Sequence, residues 1–172
     1  MSNVRLHVNL AGLPWVFTAA VLLHNAEEAL FLPSWSRRVR RWYRPVGNAE
    51  FRFAALVVSV AFVALTLAAT SLPGAEVQYV FAGYVVAMLA NALVPHLAIT
   101  IALREYMPGT ATAWLLVVPL GYLYLWTAVR QHIVDVRTLL WVSPLVALCL
   151  LAAIPALFLL GRRLSSRHEH AA

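Results

Sequence analysis

The chain has 172 residues, of which 62% are hydrophobic and 12% charged. A soluble domain averages about 45–50% apolar and about 25% charged residues, so this chain has too little polar surface for a water-soluble fold of its size. Its thirteen basic residues are all arginine and its formal net charge is +6. They gather at the ends of apolar runs, where topology-setting charges belong, which argues against nucleic acid as a partner.

Crossing a bilayer as helix takes about 20 largely apolar residues. Five stretches qualify, roughly Leu10–Leu32, Phe51–Leu72, Tyr79–Leu103, Ala111–Val129 and Thr138–Leu160. Pro33 is expected to end the first. Pro73-Gly74 follows the second, Pro108-Gly109 joins the third and fourth, and a polar link from Gln131 to Arg137 precedes the fifth. Pro119 and Gly121 are expected to bend the fourth. The opening stretch runs straight into His24, Glu27 and Glu28 without a cleavage site, so it reads as a spanning helix and not as a signal peptide. Cys149 is the lone cysteine, so neither an internal disulfide nor a cysteine metal site is expected.

The expected fold is therefore all-α, a polytopic membrane bundle of about five transmembrane helices. Residues 1–164 form one membrane-embedded domain and residues 165–172 a disordered tail. With five crossings, one side holds Arg37, Arg38, Arg40, Arg41, Arg44, Arg52, Arg104, Arg162, Arg163 and Arg167, and the other only Arg5, Arg130 and Arg137. The positive-inside rule then places the N-terminus outside and the C-terminus in the cytoplasm of a bacterial-type inner or plasma membrane. Asn48 reads as the N-cap of the second helix and Glu50 as its first-turn acid.

Ionisable groups inside a bilayer cost at least ~2.5–3.5 kcal/mol each on insertion scales and mark function by default. The first helix reads His24-Asn25-Ala26-Glu27-Glu28. Positions i, i+3 and i+4 share one helical stripe, so all three ionisable groups can face one inter-helix cavity. His24 is eight residues before Leu32, about 12 Å from that end by helix rise. The third helix carries Asn91-Ala92-Leu93-Val94-Pro95-His96, with His96 at nearly the same depth, seven residues before Leu103. Pro95 has no N–H for the carbonyl of Asn91, so a kink is expected there. Beyond it lies Arg104-Glu105-Tyr106-Met107-Pro108-Gly109. Arg104 suits a helix C-terminus and equally suits a clamp for a carboxylate or phosphate head group.

His24-Asn25-Ala26-Glu27-Glu28 resembles the motif that names the HXXEE family of integral membrane proteins. In that family the motif is accompanied by an Asn/His pair and an Arg-x-x-x-Pro-Gly motif. Arg104 to Gly109 is similar to the latter without change, and Asn91 and His96 resemble the pair. The family pattern separates Asn from His by three residues and this chain by four, which in a straight helix turns the two side chains about 140° apart. Either the Pro95 kink compensates or Asn91 is not the equivalent residue. The resemblance implies an enzyme of unspecified reaction.

Two mechanisms are open for His24, Glu27, Glu28 and His96. They can bind a divalent metal, Zn or Fe, by imidazole and carboxylate. Alternatively, a glutamate kept protonated by burial acts as general acid while a histidine relays the proton. Either suits isomerisation, cyclisation or hydrolysis of a lipophilic small-molecule substrate dissolved in membrane lipid, with Asn91 orienting a group and Arg104 holding an anion. The competing reading is a small transporter or a proton- or metal-ion-conducting protein using the same residues, and a homo-oligomer is compatible with either. A third is a membrane adaptor docking through the Arg37–Arg44 loop. A topology reporter fused at Ala172 is expected to read as cytoplasmic, and an extracytoplasmic signal would overturn the orientation.

Overall fold

The structure, a computed structural model, describes residues 12–72 and 74–169. Among them every regular element is a helix: α1 Leu13–Arg38, α2 Asn48–Ser71, α3 Ala75–Leu103, α4 Thr110–Arg130 and α5 Val136–Glu169. The helices α2, α3 and α4, and α5 up to Leu164, are long and apolar enough to cross a membrane. Helix α1 has the length but carries His24, Asn25, Glu27 and Glu28 in its middle, and one face of it is buried while Leu23, Leu30 and Phe31 are exposed. It packs on α2 and α4, while α5 packs outside on α2 and α3. Leu145, Leu148 and Leu159 of α5 face outward and exposed, the pattern expected where hydrocarbon is the solvent. Helix α5 continues to Glu169, five residues into the segment read as a tail, and residues 170–172 lie outside the described ones.

Rings from four helices build one end of the core. Phe62 of α2 stacks on Tyr84 of α3 at 3.9 Å between centroids, and Phe81 meets Tyr124 of α4 edge-on at 5.0 Å. Phe17 of α1 closes the group edge-on to Phe62 at 6.0 Å. Such contacts add about 0.5–1.5 kcal/mol per pair beyond area burial. Gly121 of α4 lies under this cluster, where a Cβ would meet Phe17 and Leu89 at 3.0 Å. Its part is close approach and not bending. The irregular turn in α4 lies earlier, as a π-helical segment Ala113–Val117, because the ring of Pro119 collides with the carbonyl four residues before it.

Two expectations about helix ends are corrected. Pro33 does not end α1, which runs five residues further to Arg38. The missing N–H of Pro33 frees the carbonyl of Ala29, and the Arg52 side chain of α2 donates to that carbonyl at 3.2 Å. A tertiary donor thus lets the helix pass its proline. Asn48 is the first residue of α2 and not its cap; its Oδ1 accepts from Arg37 at 2.9 Å. Glu50 does sit in the first turn of α2, where it pairs with Arg162 of α5 at 3.3 Å. Several arginines of the basic end therefore also bind the helices to one another.

At the opposite end Asp135 caps α5. Its Oδ1 accepts from the backbone N–H of Arg137 at 2.8 Å and of Thr138 at 3.1 Å, and its Oδ2 accepts from the Tyr79 hydroxyl at 2.9 Å. The hydrogen bonds from Thr138 and then Tyr79 hold this carboxyl down to about 2. A depressed acid stabilises the fold above its ordinary value and loses that contribution as pH falls through the folded value. Asp135→Ala is therefore expected to melt below the parent protein at pH 6, with the gap narrowing between about pH 4 and 2. A gap independent of pH in thermal melts would contradict the ionised cap.

Candidate active site

The site forms where the middle of α1 meets the break in α3. Helix α3 leaves α-helical geometry at a π-helical segment, Ala92–Leu97, and Val94 inside it has extended dihedrals of φ −132° and ψ 114°. The cause is Pro95, which has no N–H to donate and no room for the preceding carbonyls. The indole of Trp114 donates to the carbonyl of Ala92 at 3.2 Å and so satisfies one acceptor in the broken turn. The break cancels the regular 100° per residue, and Asn91 and His96 both reach His24. The Asn91 amide lies 3.4 Å from His24 Nε2, and the two imidazoles meet edge-on at 4.8 Å between centroids. Across the break, both side chains therefore lie beside the same imidazole.

Glu28, one turn after His24, faces the same centre. Its carboxylate oxygens lie 3.2 Å from His96 Nε2 and 3.9 Å from His24 Nε2. The first contact is close enough for an ion pair but lacks hydrogen-bond geometry, since neither ring nitrogen of His96 has a hydrogen-bond partner. Glu27 turns to the other side. It accepts from the Thr112 hydroxyl at 2.7 Å and from the Tyr106 hydroxyl. Tyr106 in turn accepts from the backbone N–H of Ala111 at 3.1 Å. Its hydroxyl titrates above the usual tyrosine range, first through burial and then through the hydrogen bond to Glu27. The two adjacent glutamates therefore do different things: Glu28 joins the histidines, and Glu27 fastens the turn between α3 and α4.

That turn reaches the histidines through its backbone. The Gly109 carbonyl lies 3.2 Å from His24 Nδ1, and Thr112 Oγ1 lies at the same distance. A carbonyl can only accept, so Nδ1 bears the proton and Nε2 presents its lone pair toward Glu28 and His96. Gly109 has φ 95°, and a Cβ there would stand 2.5 Å from His96 and 3.0 Å from His24. Both the left-handed backbone and the close approach require glycine. Arg104 ends α3 in a left-handed conformation, φ 51°, with its side chain exposed. It is not among the residues lining the cavity described next.

A cavity of about 430 Å³ adjoins the cluster between α2, α3 and α5. His24, Asn25, Glu28 and Asn91 form its polar wall; apart from Tyr84, the remaining lining residues are apolar, among them Val58, Met88, Leu151 and Phe158. This is the usual composition of a small-molecule site, mostly apolar with a few convergent polar groups. Of the residues singled out in the sequence, the fold brings His24, Glu28, Asn91 and His96 together and leaves Glu27 and Arg104 outside the centre. Tyr106 and Gly109 lay inside the Arg-x-x-x-Pro-Gly motif without being assigned a part. Thr112 carried no signal at all, because its role exists only through the turn.

This is a helical bundle with a His/Glu cluster beside an apolar cavity, and His24 and Glu28 of the cluster line that cavity. The family described as "Protein of unknown function with HXXEE motif" matches residues 15–124, more than half of the chain. The protein belongs to that family. It is similar to the "Uncharacterized protein YrkK" of Bacillus subtilis (strain 168), with 32% identity over 150 residues that cover 87% of this chain and 95% of that protein. No solved structure matches.

Gly109→Ala is expected to cost more than ~2 kcal/mol, combining ~1–2 kcal/mol for a left-handed non-glycine residue with the collision against His96. Gly74→Ala, where a Cβ meets nothing nearer than 3.4 Å, should stay within ~0.5 kcal/mol of the parent. Equal melting temperatures for the two variants would contradict the close approach.

Proposed function

We propose that this protein is a membrane-embedded enzyme acting on a lipophilic substrate, with His24, Glu28 and His96 performing acid/base or metal-assisted chemistry. The observation that carries the reading is that His24 and Glu28 belong at once to the buried cluster and to the wall of the apolar cavity. A hydrocarbon portion would lie among the side chains of α2, α3 and α5, and the reacting group would meet the polar wall. His24 suits general base work, because the Gly109 carbonyl leaves its Nε2 lone pair facing the cluster. Asn91, beside that nitrogen, is placed to orient a substrate oxygen. In this reading all five helices cross the bilayer, with the N-terminus outside, the C-terminus in the cytoplasm and the site in the cytoplasmic half.

The test is conversion of lipid. The purified protein in lipid nanodiscs is incubated with a total membrane-lipid extract, and the products are compared by mass spectrometry with those of His24→Ala and Glu28→Gln. One species should be depleted by the parent protein at least ~100-fold faster than by either variant. Identical lipid profiles for all three would sink the enzyme reading. Ion or proton flux across vesicles that depends on His24, without chemical change, would favour conduction instead.

A further inference from the structure

We infer that His24 Nε2, His96 and the Glu28 carboxylate form a three-ligand site for a divalent transition-metal ion, and that Glu27 is a positioning residue that orients His24 from outside it. Because this is the cluster proposed above as the working site, the metal assignment rests on that reading.

The donor atoms converge. One atom from each of His24, Glu28 and His96 can be chosen so that all lie within 4.8 Å of one another. Ligands arranged tetrahedrally at ~2.1 Å from an ion stand about 3.4 Å apart, so modest side-chain closure suffices. His24 and Glu28 supply two donors from one face of α1, and the broken turn of α3 supplies the third.

His96 points to a missing partner. It is 0% exposed, and both its ring nitrogens lack a hydrogen bond. Among the described residues, the Trp35 indole is the other buried side-chain group in that condition. Each unsatisfied buried polar atom costs about 1–3 kcal/mol, and here the ring is aimed at a carboxylate and a second imidazole. A cation bound among them would engage the His96 ring and compensate the charge of the half-buried Glu28.

His24 is prepared for ligation. A histidine ligand is ordinarily fixed by a hydrogen bond from its other nitrogen to a carbonyl or carboxylate. Here Nδ1–H is shared by the Gly109 carbonyl and Thr112 Oγ1, and Thr112 passes its own proton toward Glu27 Oε2 at 2.7 Å. Glu27 is thus connected to His24 through one hydroxyl and is held in place by Tyr106. The neighbouring acids divide into an inner ligand and an outer anchor. Two imidazoles and one carboxylate, without thiolate, suit Zn or Fe(II) better than Mg or Ca, which favour all-oxygen sites. Such a set leaves coordination positions open, and when bound the ion would supply Lewis acidity at the polar wall of the cavity.

The experiment uses the full chain in nanodiscs, stripped with chelator and then titrated with Zn(II) and Co(II). Metal content is read by mass spectrometry and the Co(II) complex by its visible absorption. The parent should bind about one ion per chain, and His24→Ala, His96→Ala and Glu28→Ala should each lose it. Glu27→Gln should keep one ion but bind it roughly 10- to 100-fold more weakly, with a shifted Co(II) spectrum. Size-exclusion profiles establish that each variant is folded, and His96→Cys, which retains a ligating atom, should recover binding if the alanine variant does not fold. Parent protein that binds neither ion, or ligand variants that bind as well as the parent, would overturn the site. Glu27→Gln with parental affinity and spectrum would overturn the outer role. Lipid conversion by metal-free protein defeats the metal site and leaves the enzyme reading; metal binding without lipid conversion does the reverse.

Discussion

The hydrogen bond between the Gly109 carbonyl and Nδ1 of His24 is the contact on which the rest of the site depends. It requires a backbone carbonyl to stand 3.2 Å from a buried imidazole, which forces the turn between α3 and α4 against α1. That approach in turn requires a residue without Cβ in the left-handed region. The hydrogen bond also decides which nitrogen of His24 is protonated. One contact thus sets the path of a turn, the identity of a residue and the chemical character of the histidine.

The turn is held from both sides. Glu27 binds it through Tyr106 and Thr112, and the indole of Trp114, just beyond it on α4, bonds the broken backbone of α3. The HXXEE motif and the Arg-x-x-x-Pro-Gly motif are therefore two halves of one structure: the first supplies the histidine and the anchoring acid, and the second supplies the turn they grip. The break at Pro95 adds the third part by turning Asn91 and His96 to the same side. A regular helix could not do so, because five residues of rotation would separate them by about 140°.

The basic end binds helices to one another. Arg52 completes the backbone of α1 at Ala29, Arg37 holds Asn48 at the start of α2, and Arg162 joins α5 to Glu50. Each uses charge where the apolar interior cannot provide a donor. The aromatic cluster occupies the other end of the bundle, so the polar site lies between a packed aromatic core and a charged rim.

Hydropathy and turn residues alone were enough to read an all-helical chain and to place five helices, because the apolar runs are long and their breaks carry proline, glycine or charge. The spacing of His24 and Glu28 was legible for the same reason, since a helix brings i and i+4 to one face whatever surrounds it. Helix ends were less legible: Pro33 looked like a terminus, and only the Arg52 donor from another helix lets α1 pass it. The roles of Glu27 and Glu28 could not be told apart, as both lie within an arc of roughly 100° of His24 on the helical wheel. Tertiary structure decided between them, because the partners that separate them are a hydroxyl 85 residues away, at Thr112, and a histidine from a broken helix. Local periodicity determines which side chains share a face; it carries no information about which backbone carbonyl or distant hydroxyl the fold brings to that face.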